Sequence, residues 1–217
     1  MTTPLYRAAT RALTPAALGY TVWRAGRDGG WRYWRQRRGR NLPDGPFSVW
    51  LHCASVGEVR AAAPLASALA EGGSGPLLVT TNTPTGAAEA ARILPEAFCH
   101  AYLPLDTPAA VRRFLDRTAP ACALVLETEI WPNLFGACRS RGIPLALVNG
   151  RLSQRTLDAP ASVRRALERA LAAVGLCLAR SEADAERFRS LGVPEAAVRV
   201  AGNLKYARTS KASAEPI

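Results

Sequence analysis

From residue 47 onward, apolar runs of strand length alternate with stretches of helical length. The runs are FSVWLHC (47–53), PLLVTT (76–81), FCHAYLP (98–104), CALVLET (122–128), PLALVNG (144–150), LCLAR (176–180) and, more weakly, VRVAG (198–202). Between them, Ala/Arg/Leu/Glu-rich segments predict helices at 58–71, 86–93, 107–117, 132–141, 162–173 and 182–191. Strands that are apolar throughout, rather than alternating, belong to parallel sheets covered on both faces, and strand–helix alternation supplies the covering. The pattern therefore predicts an α/β fold, a Rossmann-like doubly wound parallel sheet of six or seven strands.

The usual phosphate-binding fingerprints are missing. No GxGxxG follows a strand and no GxxxxGK[ST] is present; the glycine cluster EGGSG (71–75) follows a helix and reads as a helix stop. Polar residues instead gather at the ends of the predicted strands, where open α/β sheets bind ligands. They are His52, Ser55 and Glu58; Thr80, Thr81, Asn82, Thr83 and Thr85; Asp106; Glu127, Thr128 and Glu129, then Trp131, Pro132 and Asn133; and Asn149, Arg151 and Ser153. Many have local roles available: Thr85 and Asp106 as helix caps, Pro132 as a first-turn proline, Asn149-Gly150 as a turn. Ser55-x-x-Glu58 has the spacing of a capping box, in which the serine accepts a first-turn N–H and the glutamate reaches back to the cap's own N–H. The same Glu58 could serve as a general base, and the sequence leaves both roles open. Carboxylates beside the Ile130-Trp131 pair, with Arg151 on the same rim, exceed what capping requires.

Composition adds one asymmetry. The 217 residues are 48% hydrophobic and 21% charged, ordinary for a globular chain, but residues 1–40 hold nine arginines and one acid, +8 of the net +11. Tyr6, Tyr20, Trp23, Trp31, Tyr33 and Trp34 are interleaved with them. Arginine mixed with Trp and Tyr suits a lipid headgroup layer or a nucleic acid, and residues 1–46 are read as an arm lying on a membrane surface. The longest uncharged run there, residues 12–23, is too short to span a bilayer, which needs about 20 residues, and no signal-peptide cleavage pattern follows it. The five cysteines (53, 99, 122, 138, 177) form no CxxC pair and read as thiols of a reducing compartment. The histidines, 52 and 100, make no metal motif.

Six ordered blocks resemble one family: His52-Cys-Ala-Ser-Val-Gly-Glu58, Val79-Thr-Thr-Asn-Thr-Pro-Thr-Gly86, Tyr102-Leu-Pro-Leu-Asp106, Glu127-Thr-Glu-Ile-Trp-Pro-Asn133, Asn149-Gly-Arg-Leu-Ser153 and Gly202-Asn-Leu-Lys-Tyr206. They are similar to the N-terminal half of the 3-deoxy-D-manno-octulosonic acid (Kdo) transferases, GT-B glycosyltransferases of lipid A assembly. The resemblance implies CMP-Kdo as donor, a lipid A precursor as acceptor, an inverting reaction with no metal or other cofactor, and a site at the cytoplasmic face of the bacterial inner membrane. It implies Glu58 as proton acceptor and Glu127 and Lys205 as transition-state stabilisers. Ser55, Gly57, Thr83, Thr85, Glu129, Asn133 and Arg151 are the expected substrate-binding residues. Residues 47–206 would be the acceptor-binding domain and 207–217 a linker towards a donor-binding domain that the chain lacks, so the isolated chain is expected to be inactive. The second reading is a module without chemistry that holds anionic lipid or nucleic acid. The rim carboxylates, which would repel phosphate, speak against it, and no nucleic-acid partner is expected.

Overall fold

The computed structural model describes residues 4–204. Seven strands form one parallel sheet: β1 (Val49–His52), β2 (Leu77–Thr81), β3 (Phe98–Tyr102), β4 (Ala123–Leu126), β5 (Leu145–Gly150), β6 (Leu176–Ala179) and β7 (Val198–Val200), in the spatial order β3-β2-β1-β4-β5-β6-β7. The apolar runs of the sequence all supply strands. The order reverses between β1 and β4, which opens a crevice above their carboxyl ends.

Between the strands lie α3 (Val56–Glu71), α4 (Pro84–Ile93), α5 (Pro108–Thr118), α6 (Pro132–Ser140), a four-residue turn of helix α7 (Gln154–Leu157), α8 (Ala161–Leu171) and α9 (Glu182–Ser190). One face of the sheet is packed through Trp50, Phe114, Leu134, Phe135 and Phe188, the other through Leu51, Val59, Ala62, Ala66, Val79 and Leu126. Ala61, Ala62 and Ala66 of α3 are buried in one cluster with Leu51 of β1 and Val79 of β2, and the short connection from His52 to Val56 sets the first turn of α3 beyond the end of β1.

The N-terminal arm, to which hydrophobic patterning assigned no elements, is helical. Helix α1 (Pro4–Arg24) continues through a π-helical turn (Ala25–Gly29) into α2 (Gly30–Arg37). The second half of the arm belongs to the folded domain. Tyr33 and Gln36 are both 2% exposed, Tyr33 stacks edge-on against Tyr102, and Gln36 accepts the Tyr102 N–H while donating to the Asn41 carbonyl. Beyond α2 the chain passes so close to α5 that a Cβ on Gly39, whose φ is +68°, would stand 2.5 Å from the Ala110 carbonyl oxygen. Along α1 and α2, by contrast, Leu13, Tyr20, Val22, Trp23 and Trp31 are exposed.

Three local expectations change. The cap of α4 is Thr83, whose Oγ1 accepts the Gly86 N–H at 3.0 Å, and Thr85 donates to that same oxygen. Asp106 does not cap the helix that follows it, α5, whose cap is Thr107; its carboxylate accepts the N–H groups of Asn133 (3.0 Å) and Leu134 (2.8 Å) and so caps α6 from another strand end. Asn149-Gly150 is not a turn: both residues complete β5, where the register shifts against β6 and Asn149 takes φ +56°. Pro132 does stand at the first turn of α6.

Candidate active site

Glu58 lies in the first turn of α3, directly beyond β1, and is 8% exposed. It makes no capping box. Ser55 occupies the cap position with extended backbone, but its hydroxyl accepts no helix N–H. It donates instead to Glu58 Oε1 at 3.2 Å, and Glu58 Oε2 accepts the N–H of Ala54, one residue before the cap, at 2.6 Å. Both bonds hold the carboxylate in place rather than hold the helix end. Burial raises the pKa of Glu58 to about 7; the Ala54 and Ser55 hydrogen bonds pull it down, and the negative charges of Glu129 and Glu127 push it up. A carboxyl group in that range exchanges a proton readily at neutral pH, as general base catalysis requires.

Glu127 stands at the end of β4, on the other side of the crevice. Its φ is +55°, a left-handed conformation that costs a non-glycine residue on the order of 1 kcal/mol, and strain of this kind concentrates at functional sites. Two residues further on, Glu129 Oε2 accepts Asn82 Nδ2 at 2.9 Å and Trp131 Nε1 at 3.1 Å, and lies 3.6 Å from His52 Nε2. Burial opposes its charge, but these groups outweigh burial and leave the Glu129 pKa below the ordinary glutamate value. Asn82 is held in turn by Arg37 of α2, whose Nη1 donates to Asn82 Oδ1 (3.0 Å) and to the Leu103 carbonyl (2.6 Å).

The remaining expected residues divide. Gly57 lies in the first turn of α3, where an added Cβ would meet nothing nearer than Ser55 Oγ at 3.9 Å. Thr83 and Thr85 are at the mouth of α4, Thr85 exposed. Arg151 is exposed beyond β5, its carbonyl accepting the Thr128 hydroxyl, which ties the loops after β4 and β5 together. Asn133 turns inward: it is 6% exposed, and its amide donates to the Asp106 carbonyl at 2.6 Å, a bond that braces the start of α6. Lys205 lies outside the described residues. The chain leading to it is anchored by the Leu204 N–H on Asn149 Oδ1 (3.1 Å), beside a cavity of about 310 Å³ over the ends of β5 and β6 lined by Asn149, Leu178 and Gly202. Arg37 was not foreseen, because nothing in its spacing separates it from the other arginines of the arm; only the packing of α2 on the sheet brings it to the rim.

The fold is shared with enzymes of nucleotide sugars. UDP-GlcNAc 2-epimerase from Neisseria meningitidis, solved with UDP-GlcNAc, superposes with a TM-score of 0.55 at 15% identity over 73% of this chain and 47% of that one. A second UDP-N-acetylglucosamine 2-epimerase gives 0.52 at 17% identity, over 73% and 49%. At such identities the likeness establishes the architecture alone, a Rossmann-like doubly wound half of the GT-B kind. The sequence goes further. Residues 32–208 match the family described as 3-deoxy-D-manno-octulosonic-acid transferase (kdotransferase), and the chain belongs to that family. The 3-deoxy-D-manno-octulosonic acid transferase of Bordetella pertussis is 40% identical over 214 residues, covering 93% of this chain and 49% of the relative. That of Haemophilus influenzae is 35% identical over 162 residues, 74% of this chain and 38% of the relative. The chain thus spans about half the length or less of these relatives.

Proposed function

We propose that this chain is the acceptor-binding half of a Kdo transferase and that Glu58 is the base that activates the acceptor. The observation that carries the reading is the placement of Glu58: a buried carboxyl group at the strand-order switch point, held by two hydrogen bonds and titrating near 7. As a hydroxyl of the lipid A precursor attacks the anomeric carbon of CMP-Kdo, Glu58 takes its proton. The bond to phosphate breaks on the opposite face, CMP leaves with the electron pair, and the anomeric centre inverts. Positive charge growing on the sugar is offset by Glu127, whose strained backbone fixes its position, and charge on the departing phosphate by Lys205. Base catalysis of this kind is worth about 10²–10⁴ in rate. No step calls on a metal.

The arm completes the proposal. Its exposed Leu13, Tyr20, Trp23 and Trp31, set among arginines, suit attachment to the anionic cytoplasmic face of the inner membrane, and among the described residues no helix is long and apolar enough to cross it. An apolar cavity of about 230 Å³ is lined by Tyr6, Ile130, Val163, Leu167 and Trp131, whose indole N–H donates to Glu129, in keeping with an amphiphilic acceptor.

The test of the base is Glu58→Gln in the two-domain enzyme. The substituted amide can accept the Ala54 N–H and donate to Ser55 Oγ, so the local geometry survives while proton transfer does not. Turnover should fall at least ~10²-fold with substrate binding intact; turnover within a few-fold of wild type would return Glu58 to a structural role. The arm is tested by co-sedimentation with anionic vesicles. Truncating residues 1–40 would remove the buried Tyr33 and Gln36, so Trp23→Ser/Trp31→Ser is the better probe. Binding should weaken with these changes and with added salt; vesicle binding unaffected by either would end the membrane assignment.

A further inference from the structure

His52 is the last residue of β1 and is fully buried, and its Nε2 is a buried nitrogen without a hydrogen-bond partner. The surrounding donors and acceptors fix its tautomer. The Trp50 indole N–H can only donate, and it does so to Thr80 Oγ1 at 2.8 Å. Thr80 is itself fully buried, so its hydroxyl proton needs an acceptor, and His52 Nδ1 lies 2.9 Å away. The Thr80 carbonyl, 3.1 Å from Nδ1, already accepts the Cys53 N–H at 2.9 Å. All these groups are satisfied together when Nδ1 is the acceptor and the proton sits on Nε2. That N–H then faces Glu129 Oε2 at 3.6 Å, the oxygen that also receives Asn82 and Trp131.

We propose that His52 is a positioning residue: through the chain Trp50–Thr80–His52 it directs an N–H at Glu129 Oε2, and so clamps Glu129 as a carboxylate with Oε1 left for substrate. The role of Oε1 rests on the transferase reading; the clamp itself does not. The fourth support is indirect, Arg37 acting through Asn82. The charged groups acting on Glu129 are Arg37 from α2 and Glu58 from α3, with the titratable His52 beside it from β1. Keeping Glu129 ionised also maintains a negative charge beside Glu58, which favours the proton on the base.

The experiment uses the 217-residue chain. Long-range ¹H–¹⁵N spectra of imidazole-labelled protein report the tautomer directly. The Nε2–H form is expected, with its nitrogen resonance moving on Glu129→Gln. The Nδ1–H form, or no response to Glu129→Gln, overturns the proposal, and this arm requires nothing of a His52 variant's folding. In the second arm the Glu129 carboxyl carbon is titrated in folded variants. His52→Asn, which can occupy the place of Nδ1 but not of Nε2, should move the Glu129 midpoint upward, and His52→Gln, which returns a donor near Nε2, should restore it. A midpoint the same in all three proteins also overturns the clamp. Full transfer by Glu58→Gln in the two-domain enzyme would end the assignment of Glu58 as base and leave both of these outcomes undisturbed.

Discussion

Glu58 and Glu129 face the same crevice from the two strands that flank it, yet their environments drive them in opposite directions. Glu58, at the mouth of α3, is raised to about 7 by burial and by the neighbouring carboxylates, and one N–H and one hydroxyl do not reverse this. Glu129, in the loop between β4 and α6, is buried too, but Asn82, Trp131 and His52 all converge on one oxygen and hold it below the ordinary value. The difference is one of donors. Where donors are few the proton is easily held and released; where they converge the charge persists to lower pH. Two carboxyl groups with separated proton affinities are the arrangement by which a site divides proton transfer from charge stabilisation.

Removing the charge of Glu58 should have the larger effect on stability. Its folded-state pKa lies above the unfolded value, so the stability it contributes is present below about 4.5 and is lost as pH rises through 7. Glu58→Gln escapes that loss. In denaturant melts at pH 8 it should be more stable than wild type by about 2–3 kcal/mol, with the gap closing below pH 5. A variant less stable than wild type at pH 8 would mean that the two hydrogen bonds, not the burial, govern this carboxyl. A smaller effect is expected across the crevice. Glu127→Asn relieves a left-handed backbone that asparagine tolerates, and should gain about 0.5–1 kcal/mol while transfer by the two-domain enzyme drops. A gain in stability with unchanged transfer would take Glu127 out of the chemistry.

Much of the fold was legible in the pattern of the chain, because a parallel sheet covered on both faces writes its strands as continuous apolar runs and each of these became a strand. The arm was opaque for the opposite reason. Its helices carry arginine and tryptophan at many exposed positions, and contacts across the fold, of Tyr33 and Gln36 with Tyr102 and of Arg37 with Asn82, reveal that α2 belongs to the domain. The motifs likewise placed Glu58, Glu127 and Glu129 on one rim but misassigned their supports. Ser55 and Glu58 have the spacing of a capping box, yet the glutamate bonds Ala54; Asp106 precedes a helix it does not cap. Such choices depend on which strand ends lie side by side, which local spacing does not encode. The same holds for His52, whose role follows from Thr80 and Trp50 on adjacent strands.

The central claim is that these two carboxyl groups are oppositely poised, and the most direct measurement is a pH titration of their side-chain carbons by ¹³C NMR in the 217-residue chain. The account predicts a Glu58 midpoint near 7 and a Glu129 midpoint below that of an ordinary glutamate, with Glu58 moving down in Glu129→Gln. Two midpoints together near 4.5, with that of Glu58 unmoved by the substitution, would contradict it.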